Sequence, residues 1–327
     1  MAFFLFTIAA IFTVLAAIKL STYADVLSEK SKLGGLLVGT LLLAGATSLP
    51  EVTTSLTAVV LDNPDIAVGN VLGSNMFNLL IIAVFDLFYR KEKLFGQTSK
   101  SHAYTSSLGM FLGLMVIFAL FVRTDISILG IGLDSLLILA VYIGGMVLIS
   151  RVKGEAPVQG NEEESDYHTH AISLKRAKIG FLIAAVIILL AGSVLTITGD
   201  QIAVITGLGS SFVGSFLIAA STSLPEAVSV LVALQLKNHN LALGSILGSN
   251  LFNIILLFVT DLAYQPAPIL QAVSDVHMIT AVAVTILSAI VLLSIFRGRK
   301  DHITFYPLPS AVLIVFYFVS SYLIFIA

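Results

Sequence analysis

Cysteine is absent from this 327-residue chain, and charge is scarce. The first absence excludes disulfides, thiolate metal sites and cysteine nucleophiles. The second is as informative: only 11% of the residues are charged, where a soluble domain carries about 25%. Hydrophobic residues make up 57% of the chain, and the mean hydropathy is +1.03. Such a chain is an integral membrane protein with almost no length left for a soluble domain. Its expected surroundings are the lipid bilayer, and nucleic acid is not an expected partner. The apolar run from Ala2 to Ile18 has neither a basic segment before it nor a small-residue cleavage site. It therefore reads as a first span, not as a removed leader.

What is present is one stretch, written twice. The first copy is Ala44-Gly45-Ala46-Thr47-Ser48-Leu49-Pro50-Glu51, followed after a polar turn by Gly69-Asn70-Val71-Leu72-Gly73-Ser74-Asn75-Met76-Phe77-Asn78. The second is Ala219-Ala220-Ser221-Thr222-Ser223-Leu224-Pro225-Glu226, then Gly244-Ser245-Ile246-Leu247-Gly248-Ser249-Asn250-Leu251-Phe252-Asn253. Laid at an offset of 175 residues without a gap, 38–87 and 213–262 agree at 24 of 50 positions. Shared apolar composition does not produce that, so the repeat governs the reading of the fold.

A span takes about 20 mostly apolar residues. Ten stretches fit: 2–24, 34–60, 66–88, 103–122, 128–150, 179–199, 209–236, 241–263, 274–296 and 306–326. The expected fold is an all-α integral membrane protein, with a first repeat in 1–150, a linker in 151–177 and a second repeat in 178–327. Fifteen of the seventeen Lys and Arg residues fall on one side of that arrangement. By the positive-inside rule the linker is cytoplasmic and both termini are outside, as in a multi-pass protein of the plasma or inner membrane. Five spans per repeat is an odd number, so the two copies cross in opposite senses. Inverted repeats place ion sites near the midplane where the copies meet.

The repeated stretch carries the chemistry. A carboxylate in mid-span costs about 2.5–3.5 kcal/mol on insertion scales, so Glu51 and Glu226 each need a partner, a watery cavity or a proton. Thr47 and Ser48 precede Glu51 by four and three residues and share its helical face. Pro50 lacks an amide proton and crowds the carbonyl of Ala46, so the helix is expected to break there and leave carbonyls free. Thr222, Ser223 and Pro225 repeat the arrangement before Glu226. Ser74 and Asn78 lie on one face of the next helix, as do Ser249 and Asn253, while Gly69 and Gly73 have the spacing that lets helices approach closely. Two carboxylates with hydroxyls, amides and carbonyls are hard oxygen donors, suited to Ca²⁺, Na⁺ or Mg²⁺. Two negative charges can be neutralised by one divalent ion, by Na⁺ ions or by protons. That is the logic of an antiporter.

These segments resemble the α-repeats of the cation/calcium exchanger superfamily, specifically its sodium/calcium exchanger branch, with a Gly-Thr-Ser-Leu-Pro-Glu pattern and a following Gly-Ser-Asn in each half. The resemblance implies ten transmembrane helices in two inverted five-helix repeats, and exchange of inward Na⁺ for outward Ca²⁺ by alternating access. It implies that Glu51 and Glu226 coordinate Ca²⁺ with the carbonyls of Thr47 and Thr222. It further implies that Ser48, Ser74, Ser223 and Ser249 bind Na⁺ with the carbonyls of Ala44 and Ala219, and that Asn78 and Asn253 complete the ring. No resident cofactor is expected, because the ions are cargo. The motif's leading Gly is Ala46 in one copy and Ser221 in the other. Asn253 stands where potassium-dependent relatives carry Asp, so no K⁺ requirement is expected. Proton-coupled relatives usually have Gly-Asn-Ala before the Glu, and Thr47-Ser48-Leu49-Pro50 differs from that. A Ca²⁺/H⁺ antiporter of the same fold is the alternative.

Other polar residues read as structural. Asp86 and Asp261 match at the repeat offset near span ends, and Asp134 sits early in the fifth span. His168 and His170 lie in the linker beside an acidic run, and the remaining histidines lie in loops or near span ends, with none expected to pair with an intramembrane acid. Asn63-Pro64-Asp65 is a turn signal. Gly209-Ser210-Ser211 superficially resembles a membrane serine nucleophile, but no histidine falls in a facing span, and an enzyme is not expected.

Overall fold

The computed structural model describes residues 1–30, 45–90, 93–99, 101–152, 172–297 and 307–327. The chain is almost entirely helical. Its elements are α1 (Ala2–Lys30), α2 (Leu49–Val60), α3 (Pro64–Phe88), a short α4 (Leu94–Gln97), α5 (His102–Val122), a hairpin of β1 (Ser127–Ile128) and β2 (Ile131–Gly132), and α6 (Leu133–Val152). There follow α7 (Leu174–Thr206), the bent pair α8 (Ser210–Thr222) and α9 (Leu224–Gln235), α10 (His239–Ala263), a short α11 (Ile269–Ala272), α12 (Val276–Arg297) and α13 (Leu308–Ile326).

Among the described residues, eight helices are long and apolar enough to cross a membrane, or nine if α8 and α9 are one bent span. The expected second span, 34–60, is described only from residue 45, so its first part lies outside the described residues, as does most of the linker with His168 and His170. One element departs from an all-α fold. The fifth span was expected from residue 128, but 127–132 form the hairpin and the helix begins at Leu133. The reason is local: Leu129 and Gly130 both have positive φ, 55° and 83°, the pairing that a two-residue hairpin turn requires. The sixth span is also longer than expected. Ser173 caps it by accepting from Arg176 N (3.3 Å), and Gly207, with φ of 72°, ends it. Its 33 residues extend about 50 Å, well past a hydrocarbon core of about 30 Å.

Burial sorts the helices. In α3 and α10, 67% and 61% of the most apolar window is buried, against 28% in both α1 and α7 and 11% in α6. The two repeated Gly-Ser-Asn helices therefore form the middle of the molecule, while α1 and α7 pack on each other at its side. Large apolar side chains such as Phe118, Leu182, Leu190 and Val315 are exposed, as expected where the solvent is lipid. The buried set is correspondingly rich in Ser, Thr and Asn.

Close approach at the centre depends on glycine. A Cβ on Gly73 would fall on the backbone of Ser215, and one on Gly69 would lie 3.1 Å from Ser211 O and Ser215 N. The partner segment, Val213–Ile218, is wound as a π-helix, a form that often accompanies function. Repeat-related turns match in detail. Asp62 and Lys237 have φ of 55° and 54°. Asn63 N donates to Ala58 O (2.9 Å) and Asn238 N to Ala233 O (2.8 Å). Asn63 Oδ1 accepts from Ile66 N at 3.1 Å, and Asn238 Oδ1 accepts from Leu241 N at 3.0 Å.

Asp261 and Asp86, the acids matched at the repeat offset, are held by hydrogen bonds from other elements. Asp261 accepts from Gly132 N and Ile269 N, both at 2.7 Å, and so ties the hairpin and α11 to the end of α10. Asp86 accepts from Ser310 Oγ at 2.6 Å. Asp134 lies in the first turn of α6, where the helix dipole favours it. One pairing was not foreseen. His277 does pair with an acid: its Nε2 is 3.0 Å from Asp65 Oδ1, and the imidazole is fully buried. The partners are 212 residues apart, a contact no local spacing reveals.

Replacing Gly73 by Ala is expected to cost about 3 kcal/mol, the upper end for overpacking, because the neighbour is backbone. Gly144, with nothing within 4 Å of an added Cβ, serves as the control. The thermal midpoint should fall for Gly73→Ala and hold or rise for Gly144→Ala; equal midpoints would contradict the packing described.

Candidate ion-binding site

Both repeated motifs break their helix at the same place. Ser48 has φ −91° and ψ 8°, Ser223 has φ −89° and ψ 1°, and a new helix starts one residue later with proline in its first turn. Proline is compatible with that position because its missing N–H would have no intrahelical acceptor there. The break bends α8 against α9 by 41°. It also places Glu51 and Glu226 in the first turns of α2 and α9, where the positive end of the helix dipole supports a carboxylate. The continuous helical face expected for Thr47, Ser48 and Glu51 is therefore interrupted at Ser48.

The two glutamates are 1% and 3% exposed. Neither has a Lys, Arg or His partner among the described residues. Ser223 Oγ, from the second copy, donates to Glu51 Oε1 at 3.5 Å. The Thr222 hydroxyl lies 3.3 Å from Ser74 Oγ, 3.3 Å from Asn70 Oδ1 and 3.2 Å from its own helix's Ala219 O. Asn78 Nδ2 donates to Asn250 Oδ1 at 2.9 Å. Asn75 Nδ2 donates to Asn250 O (3.2 Å) while Asn250 Nδ2 donates to Asn75 O (3.3 Å). Residues at the repeat offset thus exchange bonds with each other, as at a local two-fold axis.

Five of the singled-out residues bring a buried oxygen with no hydrogen-bond partner among the described residues: Ser48 Oγ, Glu51 Oε2, Asn78 Oδ1, Glu226 Oε2 and Asn253 Oδ1. Such atoms are costly unless something positive meets them. Ser249 is buried, Thr47 is half-buried just before the break, and Ala44 lies outside the described residues. The Ala219 carbonyl is engaged within its own helix, by Ser223 N at 3.0 Å and by the Thr222 hydroxyl. These bonds bring together Glu51, Ser74, Thr222 and Ser223, and separately join Asn78 to Asn250. For Ser48, Glu226, Ser249 and Asn253 the structure shows burial without such a bond.

Sequence reasoning assigned no role to Asn70. Its Nδ2 lies 2.7 Å from Thr54 Oγ1, 2.9 Å from Ser55 Oγ and 3.3 Å from Glu51 O, and its Oδ1 faces Thr222. It clamps the turn that carries Glu51 and reaches the other repeat. In the second copy its counterparts are Ser245, Ser229 and Val230, so the clamp exists once. The available signal was that asymmetry inside an otherwise matching segment. Asn75 and Asn250 were visible as an identical pair, but their mutual contact was not.

Buried hard oxygens around two carboxylates, at the meeting of two related segments of a helical membrane protein, are the donors that a hard cation prefers. The chain belongs to the sodium/calcium exchanger protein family, whose profile matches residues 1–151 and 177–326. It is 26% identical over 309 residues to the putative antiporter CaxA of Alkalimonas amylolytica, covering 92% of each chain. Its fold is similar to that of an H⁺/Ca²⁺ exchanger, CAX, at a TM-score of 0.67 and 12% identity, covering 99% of this chain and 89% of the other. It is also similar to the sodium-calcium exchanger NCX_Mj soaked with Na⁺ and Sr²⁺, at 0.56 and 19% identity, covering 97% and 96%. The protein is thus a cation/Ca²⁺ exchanger of antiporter type.

Asn70→Ala should lower stability by about 2–3 kcal/mol, because it strands buried hydroxyls and a carbonyl. Asn70→Ser, which copies the second repeat, should cost less. The check is the thermal midpoint of each variant; an unchanged midpoint for Asn70→Ala would contradict the clamp.

Proposed function

We infer that the protein exports Ca²⁺ in exchange for Na⁺ entry by alternating access. The observation that carries this reading is the pair of buried glutamates, one from each repeat, each with an unpartnered oxygen and no basic partner among the described residues. In this reading Glu51 and Glu226 hold Ca²⁺ with the carbonyls of Thr47 and Thr222. Ser48, Ser74, Ser223 and Ser249 take Na⁺ with the carbonyls of Ala44 and Ala219, and Asn78 and Asn253 close the ring. Either load neutralises the carboxylates, and only a neutralised site crosses a low-dielectric interior cheaply. The chain then has ten spans in two inverted five-helix repeats, with both termini outside and the linker cytoplasmic. The α1–α7 pair slides past the central helices. Its marginal position and low burial suit that role.

The energetics allow it. A tenfold gradient is worth about 1.4 kcal/mol, so three Na⁺ entering down such a gradient supply roughly 4.2 kcal/mol, enough for about a thousandfold Ca²⁺ gradient. At that stoichiometry one net charge also moves inward, which adds about 2.3 kcal/mol per 100 mV.

Proton coupling is the second reading, because a carboxylate with a free oxygen can also be discharged by a proton. The two separate in proteoliposomes loaded with Na⁺ and diluted into Na⁺-free medium at equal pH. Na⁺ coupling predicts Ca²⁺ uptake that collapses when K⁺ or choline replaces Na⁺. Uptake only under an imposed pH gradient would move the protein to proton coupling. Glu51→Gln and Glu226→Gln should each abolish transport, and transport retained in either would place the site elsewhere.

A further inference from the structure

Between α3 and α10 the asparagines follow the local two-fold in one pair of bonds and break it in the next. Asn75 Nδ2 donates to Asn250 O at 3.2 Å, and Asn250 Nδ2 donates to Asn75 O at 3.3 Å. Asn78 Nδ2 then donates to Asn250 Oδ1 at 2.9 Å. At the repeat offset Asn78 becomes Asn253 and Asn250 becomes Asn75, so the mate of this last bond would run from Asn253 Nδ2 to Asn75 Oδ1. It is not made. Asn75 Oδ1 and Asn253 Oδ1 are both buried, and neither has a hydrogen-bond partner among the described residues. The orientation of Asn75 is fixed: turned over, its oxygen would face the Asn250 carbonyl, acceptor against acceptor.

Asn75 Oδ1 belongs to a set made only of oxygens. Asn78 Oδ1, Glu51 Oε2 and Glu226 Oε2 are buried and unpartnered as well, whereas no side-chain nitrogen of the repeated segments is in that state among the described residues. A buried polar atom left without a partner is costly. One water brings two hydrogens and answers two acceptors, while a hard cation gathers about six oxygens. A surplus of acceptors with no matching donors therefore points to cations.

We propose that Asn75 is a further cation ligand of the exchange site, its Oδ1 meeting Na⁺ together with Asn253 Oδ1. This rests on the Na⁺/Ca²⁺ exchange reading above. An amide oxygen brings no charge. Ca²⁺ is held chiefly by the two carboxylates, which match its charge, whereas a load of several Na⁺ needs more oxygens than one Ca²⁺, and neutral ones serve. Asn250 is excluded from this role although it is the repeat partner of Asn75, because Asn78 already fills its oxygen. Both asparagines brace the helices through Nδ2, and only Asn75 has an oxygen left to offer.

The test is labelled Ca²⁺ bound to the purified protein in detergent and titrated with Na⁺. Asn75→Leu removes the oxygen at nearly constant volume. It should raise the Na⁺ concentration for half-displacement about tenfold, the factor carried by one bond to a charged partner, while Ca²⁺ affinity without Na⁺ holds. Asn75→Asp loses the same Nδ2 bond but keeps an oxygen in place and adds charge, so it should lower that concentration. Opposite shifts from two variants that lose the same bracing bond do not arise from damaged packing. Asn250→Leu also strands Asn78 Nδ2, so it should lower the ion-free thermal midpoint more than Asn75→Leu does and move half-displacement less. Half-displacement unchanged in Asn75→Leu, raised alike by Leu and Asp, or moved as far by Asn250→Leu would overturn the assignment. Should Asn75→Leu not fold, the direction of the Asn75→Asp shift alone decides. Wild-type Ca²⁺ that Na⁺ does not displace would refute the exchange reading and this inference together. Normal displacement in the wild type with no change on replacing Asn75 would refute only the role of Asn75.

Discussion

The structure depends on one electrostatic constraint: two carboxylates are buried inside a membrane protein with no basic side chain paired to them among the described residues. A fixed Lys or Arg would satisfy Glu51 and Glu226 permanently and leave them nothing to carry. In the exchange proposed here the charge is instead met by a mobile cation, and the surroundings suit that role. The helix breaks at Ser48 and Ser223 put each glutamate in a first turn. The glycines of α3 let Ser211 and Ser215 come within contact of its backbone. The asparagines at 75, 78 and 250 brace the two halves against each other. The apolar surface that would form the core of a soluble protein faces outward here, and the polar residues fill the middle.

Much of this was legible in the sequence because the repeat is nearly gapless. A carboxylate, a proline and a hydroxyl cluster that recur together at one offset have few structural explanations, and the helix breaks, the buried glutamates and the Gly–Ser close approach all follow from local rules. What was not legible depends on contacts between distant segments. The Asp65–His277 pair and the Asn70–Thr222 contact join positions 212 and 152 residues apart, and periodicity carries no information about them. The hairpin before α6 was missed for a different reason. Its residues, Ser127 to Gly132, are apolar enough to extend a span, and the Leu129-Gly130 turn is a weak signal inside an apolar run. The full length of α7 was hidden because its first turns carry Lys175, Arg176 and Lys178, which hydropathy excludes from a span.

The halves are related but unequal. Asn70 ties the first motif to α3 through Thr54 and Ser55, whereas Ser245, Ser229 and Val230 leave the second motif without that clamp. The two copies of the motif are thus held by different side-chain contacts.

The central claim is that both glutamates serve one shared site. Equilibrium binding of labelled Ca²⁺ to the purified protein in Na⁺-free detergent solution tests it most directly. The account predicts one Ca²⁺ per chain, displaced by added Na⁺, with binding lost when either glutamate alone is replaced by Gln. Two Ca²⁺ per chain, with each replacement removing only one, would show two separate sites and contradict it.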